Sequence, residues 1–175
     1  KPGDTLSITV TNNLPRRRHK AIHRHNTYQD FDTTNIHTHG MHVSPSPGAD
    51  DIFSLVKPGD SKTYTYAIPE YHMPGTFWYH PHHHGSTNIQ TGGGAFGAII
   101  VQDPPGFLPP HMETLEDTVL MLHHFNMPEL TAVTRIYEAN CGANGGTEAD
   151  CAQSVFGMGA TVGTQRDSVL VNGMT

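Results

Sequence analysis

The chain has 175 residues and a formal net charge of -6, and this acidic balance argues against a nucleic-acid-binding protein. No apolar run approaches the length that spans a bilayer, which argues against a membrane-spanning protein. The 18 glycines and 13 prolines favour an all-β architecture with many turns, and the 14 histidines are the compositional outlier.

Apolar and polar residues alternate over residues 4–12, a pattern typical of a half-buried strand. The segment that follows, residues 16–25, is basic and contains His19, His23 and His25. One hypothesis makes this segment a docking patch or an auxiliary metal site. We favour the alternative, a solvated loop insertion.

Two predicted strands each contain a His-x-His pair: His37 and His39 in residues 33–39, and His80 and His82 in residues 76–82. Successive side chains of an extended strand point to opposite faces, so the two members of each pair share a face. If the strands lie side by side, the imidazoles of both pairs converge. Imidazole binds copper, zinc, iron and nickel, and copper(II) heads the affinity order. The pattern therefore predicts a histidine-rich metal centre made by two strands.

Two adjacent carboxylates, Asp50 and Asp51, lie in the loop predicted over residues 41–54 between these strands. A carboxylate close to the metal centre could deliver protons, or it could orient a bound water or an imidazole. The alternative is a surface turn or a structural cap. We favour the functional interpretation for Asp50.

The second half of the chain is less informative. Residues 103–110 contain four prolines, which is typical of a linker or a domain edge. A composition shift near residue 104, a start without methionine and an end with little to pack against predict that the chain is part of a longer polypeptide. Further strands are predicted over residues 64–68, 95–101, 118–122 and 168–171, and a long loop over residues 139–164.

The two cysteines, Cys141 and Cys151, lie ten positions apart in a segment rich in small residues. Neither belongs to a Cys-x-x-Cys pattern. We favour a short-loop disulfide formed in an oxidising compartment, and the alternative is a pair of reduced thiols.

The motifs His37-Thr38-His39-Gly40 and Trp78-Tyr79-His80-Pro81-His82 resemble those of the multicopper oxidases, a laccase-like family built from cupredoxin domains. Segments 10–15, 74–77 and 94–104 also match the family pattern, and residues 170–173 resemble an early strand of its second domain.

The resemblance implies an all-β fold, a cupredoxin-like Greek-key β-sandwich that is incomplete at both ends. It also implies three parts: a first cupredoxin-like domain over residues 1–104, a Pro-rich linker over residues 105–117, and the start of a second cupredoxin-like domain over residues 118–175.

The resemblance also implies a role for each motif histidine. His37 would bind the type 2 copper of a trinuclear cluster, His39 and His80 would share one type 3 copper, and His82 would bind the other. Asp50 stands where the family places an acidic residue that helps to supply protons, and this resemblance alone favours it over Asp51.

Asp51 is a small departure, because many members have glycine at that position. His42, His83 and His84 have no ligand role in the family pattern.

Complete members of the family couple one-electron oxidation of a reducing substrate to the four-electron reduction of O2 to water. The substrate would be a phenol, an aromatic amine or a metal ion. The family's other cluster ligands and its type 1 copper come from a C-terminal domain with a His-Cys-His motif, which is missing here. The implied function is therefore half of a trinuclear site, inactive alone, in a secreted, extracellular or periplasmic oxidase that contains further cupredoxin domains.

Three alternatives remain at this point. The chain could belong to a copper-binding or copper-resistance protein, in which segments 19–25 and 82–84 store metal. It could be a non-catalytic cupredoxin-like component of an extracellular assembly. A zinc enzyme is a weaker alternative, because the paired strands with their aromatic flank match the copper family better.

Overall fold

The computed structural model describes residues 1–17, 28–141 and 168–174. Over these ranges the chain is mostly strands with few helices, and all strand pairs are antiparallel. This confirms the predicted all-β, cupredoxin-like fold class. The elements are β1 (Thr5–Thr11), β2 (His37–His39), β3 (Ser61–Ala67), β4 (Gly75–His80), α1 (Thr87–Gly92), β5 (Gly97–Val101), β6 (Leu122–Phe125), α2 (Met127–Cys141) and β7 (Ser168–Val171).

Two sheets enclose the main core. β1 pairs with β3, and the second sheet has the order β2-β4-β5. The predicted alternation in β1 turns one face of that strand inward, and Tyr64 and Tyr66 of β3 are fully buried beside it. Burying a large apolar side chain stabilises a fold by about 1.5–3 kcal/mol, so this tyrosine-rich layer is a major source of stability.

The segment that leads into β2 is held by side chains and by one isolated backbone bridge between Thr34 and Val56. The amide of Asn12 donates to the carbonyls of Asp32 (2.7 Å) and Val56 (2.8 Å). The amide of Gln90 in α1 donates to the carbonyls of Phe31 and Thr33. These bonds explain why β2 is shorter than the predicted strand of residues 33–39.

The second half of the chain differs from the prediction in two places. The strand predicted over residues 118–122 is found instead as β6, which begins at Leu122. In the segment before it, the backbone of Val119 and Met121 bonds to the side chain of Asn172 and is not part of a strand ladder. The helix α2 was not predicted. It is anchored by a buried stripe in which Tyr137 packs on Phe31.

Cys141, at the end of α2, is fully buried and disulfide-bonded, which agrees with the disulfide favoured from the sequence over reduced thiols. Cys151 and most of the predicted loop 139–164 lie outside the described residues, as do His19, His23 and His25. No helix in the part of the chain described here is long and apolar enough to cross a membrane.

The two core tyrosines give a matched stability test. The Tyr64 hydroxyl donates to the Ser54 carbonyl (2.7 Å), whereas the buried Tyr66 hydroxyl has no hydrogen-bond partner among the described residues. We expect Tyr64→Phe to lower the free energy of unfolding by about 1–3 kcal/mol, because it leaves a buried carbonyl unpaired. Tyr66→Phe should be neutral or stabilising. Urea unfolding of both variants checks this, and an equal loss in Tyr66→Phe would contradict it.

Candidate metal centre

The pairing of β2 with β4 brings the two histidine motifs together. In this antiparallel ladder His37 lies opposite His80, and His39 lies opposite Trp78. Residues that face each other across two strands share a sheet face, so these side chains project on the same side. Thr38, between the two histidines of β2, points the other way and is only 1% exposed. The predicted common face of His37 and His39 is thus present in the structure.

The imidazole rings converge at this face. Measured from His37, the ring centroids of His39, His80 and His82 lie at 5.9, 5.3 and 5.1 Å. The candidate donor atoms of His37, His39 and His80 all lie within 4.8 Å of one another. His82 lies beside this group but is not part of it: it follows the end of β4, and its ring centroid is 5.9 Å from that of His80.

The hydrogen bonds of the rings fix which nitrogens are free. His37 Nδ1 lies 2.9 Å from Asp50 Oδ2, so it carries the proton and leaves the Nε2 lone pair available. His80 Nδ1 lies 2.8 Å from the Pro81 carbonyl, so it also carries the proton and leaves the Nε2 lone pair available. His39 Nδ1 and His80 Nε2 lie 3.3 Å apart on the same face. His37 and His80 therefore present Nε2 toward the shared face, ready to act as ligands.

Burial keeps His80 in the neutral form that binds metals. Its side chain is the most enclosed of the group, and the residue is only 8% exposed. This burial lowers the pKa of His80, and the surrounding imidazoles lower the pKa further. The bond to the Pro81 carbonyl acts in the opposite direction without reversing the net shift. His80 thus retains its lone pair to a lower pH than an ordinary histidine.

The two carboxylates of the loop have different contacts. Asp50 accepts from His37 and, through Oδ1, from the Thr38 N–H (2.7 Å), so it is tied to β2 and orients the His37 ring. Asp51 accepts from the Ser54 hydroxyl (2.6 Å) and the Phe53 N–H (3.0 Å). Asp51 therefore caps a turn, which is the alternative considered for both residues.

Burial by itself would raise the pKa of the Asp50 carboxyl. The hydrogen bonds from His37 and the Thr38 N–H outweigh this effect, and the net pKa lies below its ordinary value. The carboxylate is therefore ionised throughout the neutral range. In that form it stabilises the Nδ1–H tautomer of His37.

The sequence assigned Trp78 no role at the metal centre beyond its place in the second histidine motif, but its side chain contacts the centre. Its ring stacks on His39, with centroids 5.0 Å apart and an interplanar angle of 26°. It also lies 4.4 Å from the ring of His80. The sequence contained the information needed to place Trp78 at the centre, because Trp78 precedes His80 by two positions and strand alternation puts both side chains on one face.

The neighbouring histidines have other contacts. His72 is buried, accepts from the His42 N–H (3.0 Å) and lies 2.7 Å from the Met73 carbonyl. His83 lies 3.7 Å from the Asp30 carboxylate. Within residues 1–17, 28–141 and 168–174, the cluster of His37, His39 and His80 is the one group of histidine, cysteine or acidic side chains close enough to hold an ion.

Comparisons with known proteins agree with this chemistry. Residues 21–106 match the sequence model of a family described as "Multicopper oxidase". The chain is 37% identical over 112 residues to "Laccase" of Cryphonectria parasitica, which covers 61% of this chain and 15% of that protein. It is 32% identical over 118 residues to "Laccase-1" of Emericella nidulans, covering 65% of this chain and 16% of that protein.

A third relative is "Iron transport multicopper oxidase FET5" of Saccharomyces cerevisiae, 37% identical over 87 residues, which cover 45% of this chain and 13% of that protein. The chain thus matches only a small part of each of these three relatives, between 13% and 16% of their length.

The depressed pKa of Asp50 predicts a pH dependence of stability. The ionised carboxylate contributes stability above its unfolded pKa near 3.8, and this contribution is lost as the pH falls through the lower folded pKa. At pH 6 we expect Asp50→Asn to lower the free energy of unfolding of the metal-free protein by about 1–3 kcal/mol, because two charge-assisted hydrogen bonds are weakened. The difference from the wild type should shrink as the pH falls below 3.8.

Urea unfolding across this pH range measures the effect, with the exposed Asp103→Asn as the control. A wild-type advantage that persists unchanged to the lowest pH would contradict the assignment of the stabilising charge to Asp50.

Proposed function

Because residues 21–106 match the multicopper oxidase family, we propose that the chain is the part of such an oxidase that supplies half of the ligands of its trinuclear copper cluster. The observation that carries this proposal is the convergence of the donor atoms of His37, His39 and His80 within 4.8 Å, with His82 beside them. The relatives are laccases and other multicopper oxidases, and they support oxidase chemistry.

The residues present fit copper. Neutral imidazoles with free Nε2 lone pairs are suitable copper ligands, and Asp50 provides the carboxylate that commonly orients a ligating histidine. The Nδ1 atom of His82 is buried and has no hydrogen-bond partner among the described residues. Such an atom is costly unless something binds it, and a metal ion would offset that cost.

We assign His37 to the type 2 copper, His39 and His80 to one type 3 copper, and His82 to the other. The short separation of His39 Nδ1 and His80 Nε2 (3.3 Å) supports the shared site. The position of His82 outside that group supports a separate ion. The remaining cluster ligands and the type 1 copper would come from other cupredoxin domains of the same polypeptide or assembly.

Copper, when bound, supplies the one-electron redox chemistry that the reduction of O2 requires. The side chains described here do the rest on this side of the cluster. Asp50 holds the proton of His37 Nδ1 and keeps its ring fixed, and the ionised carboxylate can accept and pass on protons consumed by O2 reduction. Trp78 restrains the rings of His39 and His80 by packing against both.

The reducing substrate is proposed to be a phenol, an aromatic amine or a metal ion. The names of the relatives support this range, since two are laccases and one is an iron transport oxidase. On this proposal residues 1–175 are inactive by themselves, because the half-site cannot hold the whole cluster.

The domain division is also part of the proposal: a first cupredoxin-like domain over residues 1–104, a linker over 105–117 and the start of a second such domain over 118–175. The separate β6–β7 sheet supports it. A secreted, extracellular or periplasmic location is supported by the disulfide of Cys141, since such bonds persist in oxidising compartments.

The test compares two buried histidines in the full-length protein. We expect His80→Ala to abolish O2 uptake and to lower the copper content by about one ion per molecule, because a shared ligand is lost. His72→Ala removes a similarly buried imidazole that touches no member of the cluster, so it should keep its copper. Copper is counted by atomic absorption and O2 uptake is followed with a phenol and with Fe(II).

Full copper and full O2 uptake in His80→Ala would refute the assignment of His80 as a ligand. If both variants lose copper, circular dichroism shows whether they have unfolded. In that case His80→Gln replaces His80→Ala, because glutamine preserves most of the buried volume.

A further inference from the structure

The position of His82 is not set by the ladder between β2 and β4 but by a hydrogen bond from its backbone to a side chain. The ladder between β2 and β4 ends at His80, so the backbone of His82 has no strand partner. Its N–H instead donates to Oδ1 of Asn35 at 2.6 Å. This contact joins residues that are 47 positions apart. The N–H of His82 is therefore held by a side-chain amide from a distant part of the chain.

The same amide reaches a third part of the centre. Asn35 is only 3% exposed, and its Nδ2 donates to the carbonyl of Ile52. Ile52 lies two residues after Asp50, in the loop whose carboxylate fixes His37. Asn35 itself lies two residues before His37. A single buried side chain thus ties together the start of β2, the carboxylate loop and the backbone of His82.

We propose that Asn35 is a positioning residue for the metal centre, which sets the location of the His82 imidazole relative to those of His37 and His80. The inference rests on the proposed function, because it concerns the same copper cluster. The amide is suited to this role because it can accept from one backbone group and donate to another at the same time. Both of its partners are backbone atoms, so it fixes chain position.

The sequence contains a matched residue that separates positioning from general stability. Asn12 is also 3% exposed, and its Nδ2 also donates to backbone carbonyls, those of Asp32 and Val56. It supports the chain that leads into β2, as Asn35 does, but its side-chain hydrogen bonds among the described residues go to Leu14, Asp32 and Val56 and not to a histidine. Asn12→Ala removes the side-chain donor to the Asp32 carbonyl, and Asn35→Ala removes the partners of the Ile52 carbonyl and the His82 N–H, so both variants should lose stability.

The experiment measures copper content, copper affinity by competition with a chelator, and the midpoint of thermal unfolding for the full-length protein. We expect Asn35→Ala and Asn12→Ala to lower the unfolding midpoint comparably. Copper affinity should fall by about tenfold or more in Asn35→Ala alone, the usual effect of removing a group that orients a metal ligand. Asn35→Asp keeps the oxygen that accepts from the His82 N–H, so it should recover most of the copper binding.

Wild-type copper content and affinity in Asn35→Ala would overturn the positioning role, and so would an equal loss in Asn12→Ala. The two proposals can fail separately. If the wild type binds copper and His80→Ala loses it while Asn35→Ala does not, only the positioning role is wrong. If the wild type binds no copper, both proposals are wrong.

Discussion

The metal centre depends on the register of one antiparallel pair, β2 with β4. That register puts His37 opposite His80, and the strand period of two brings His39 to the same face. A slip of one residue would turn the β4 side chains to the opposite face and bury His80 in the core. β4 is protected against such a slip because it is the central strand of its sheet and is also paired with β5.

The approach to this pair is irregular, and buried amides compensate for it. Apart from one bridge between Thr34 and Val56, residues 31–36 have no strand pairing, yet several of their residues are buried and their backbone groups need hydrogen-bond partners. Asn12 and Gln90 supply donors to three of the carbonyls in this stretch. These hydrogen bonds fix the segment that precedes β2, so a strand of three residues can present two histidines in a fixed orientation.

The centre has one enclosed side and one open side. His80 is buried and neutral, whereas His39 is exposed and Trp78 stacks on its ring. The enclosed side sets the pKa and the tautomer of the ligands through burial and hydrogen bonds to Asp50 and Pro81. The exposed side is where the proposed function would place further ligands.

The sequence by itself determined the all-β class, the strands around residues 4–12, 76–80 and 168–171, and the common face of His37 and His39, whereas the predicted strand 76–82 ends at His80 and does not include His82. These features depend on local alternation, which has a fixed period. Only the tertiary structure decided that Asp50 contacts His37 while Asp51 caps a turn, and that Asn35 holds the backbone of His82. Such contacts depend on loop conformation and strand register, which are set by the packing of residues far apart in the chain and have no local signature.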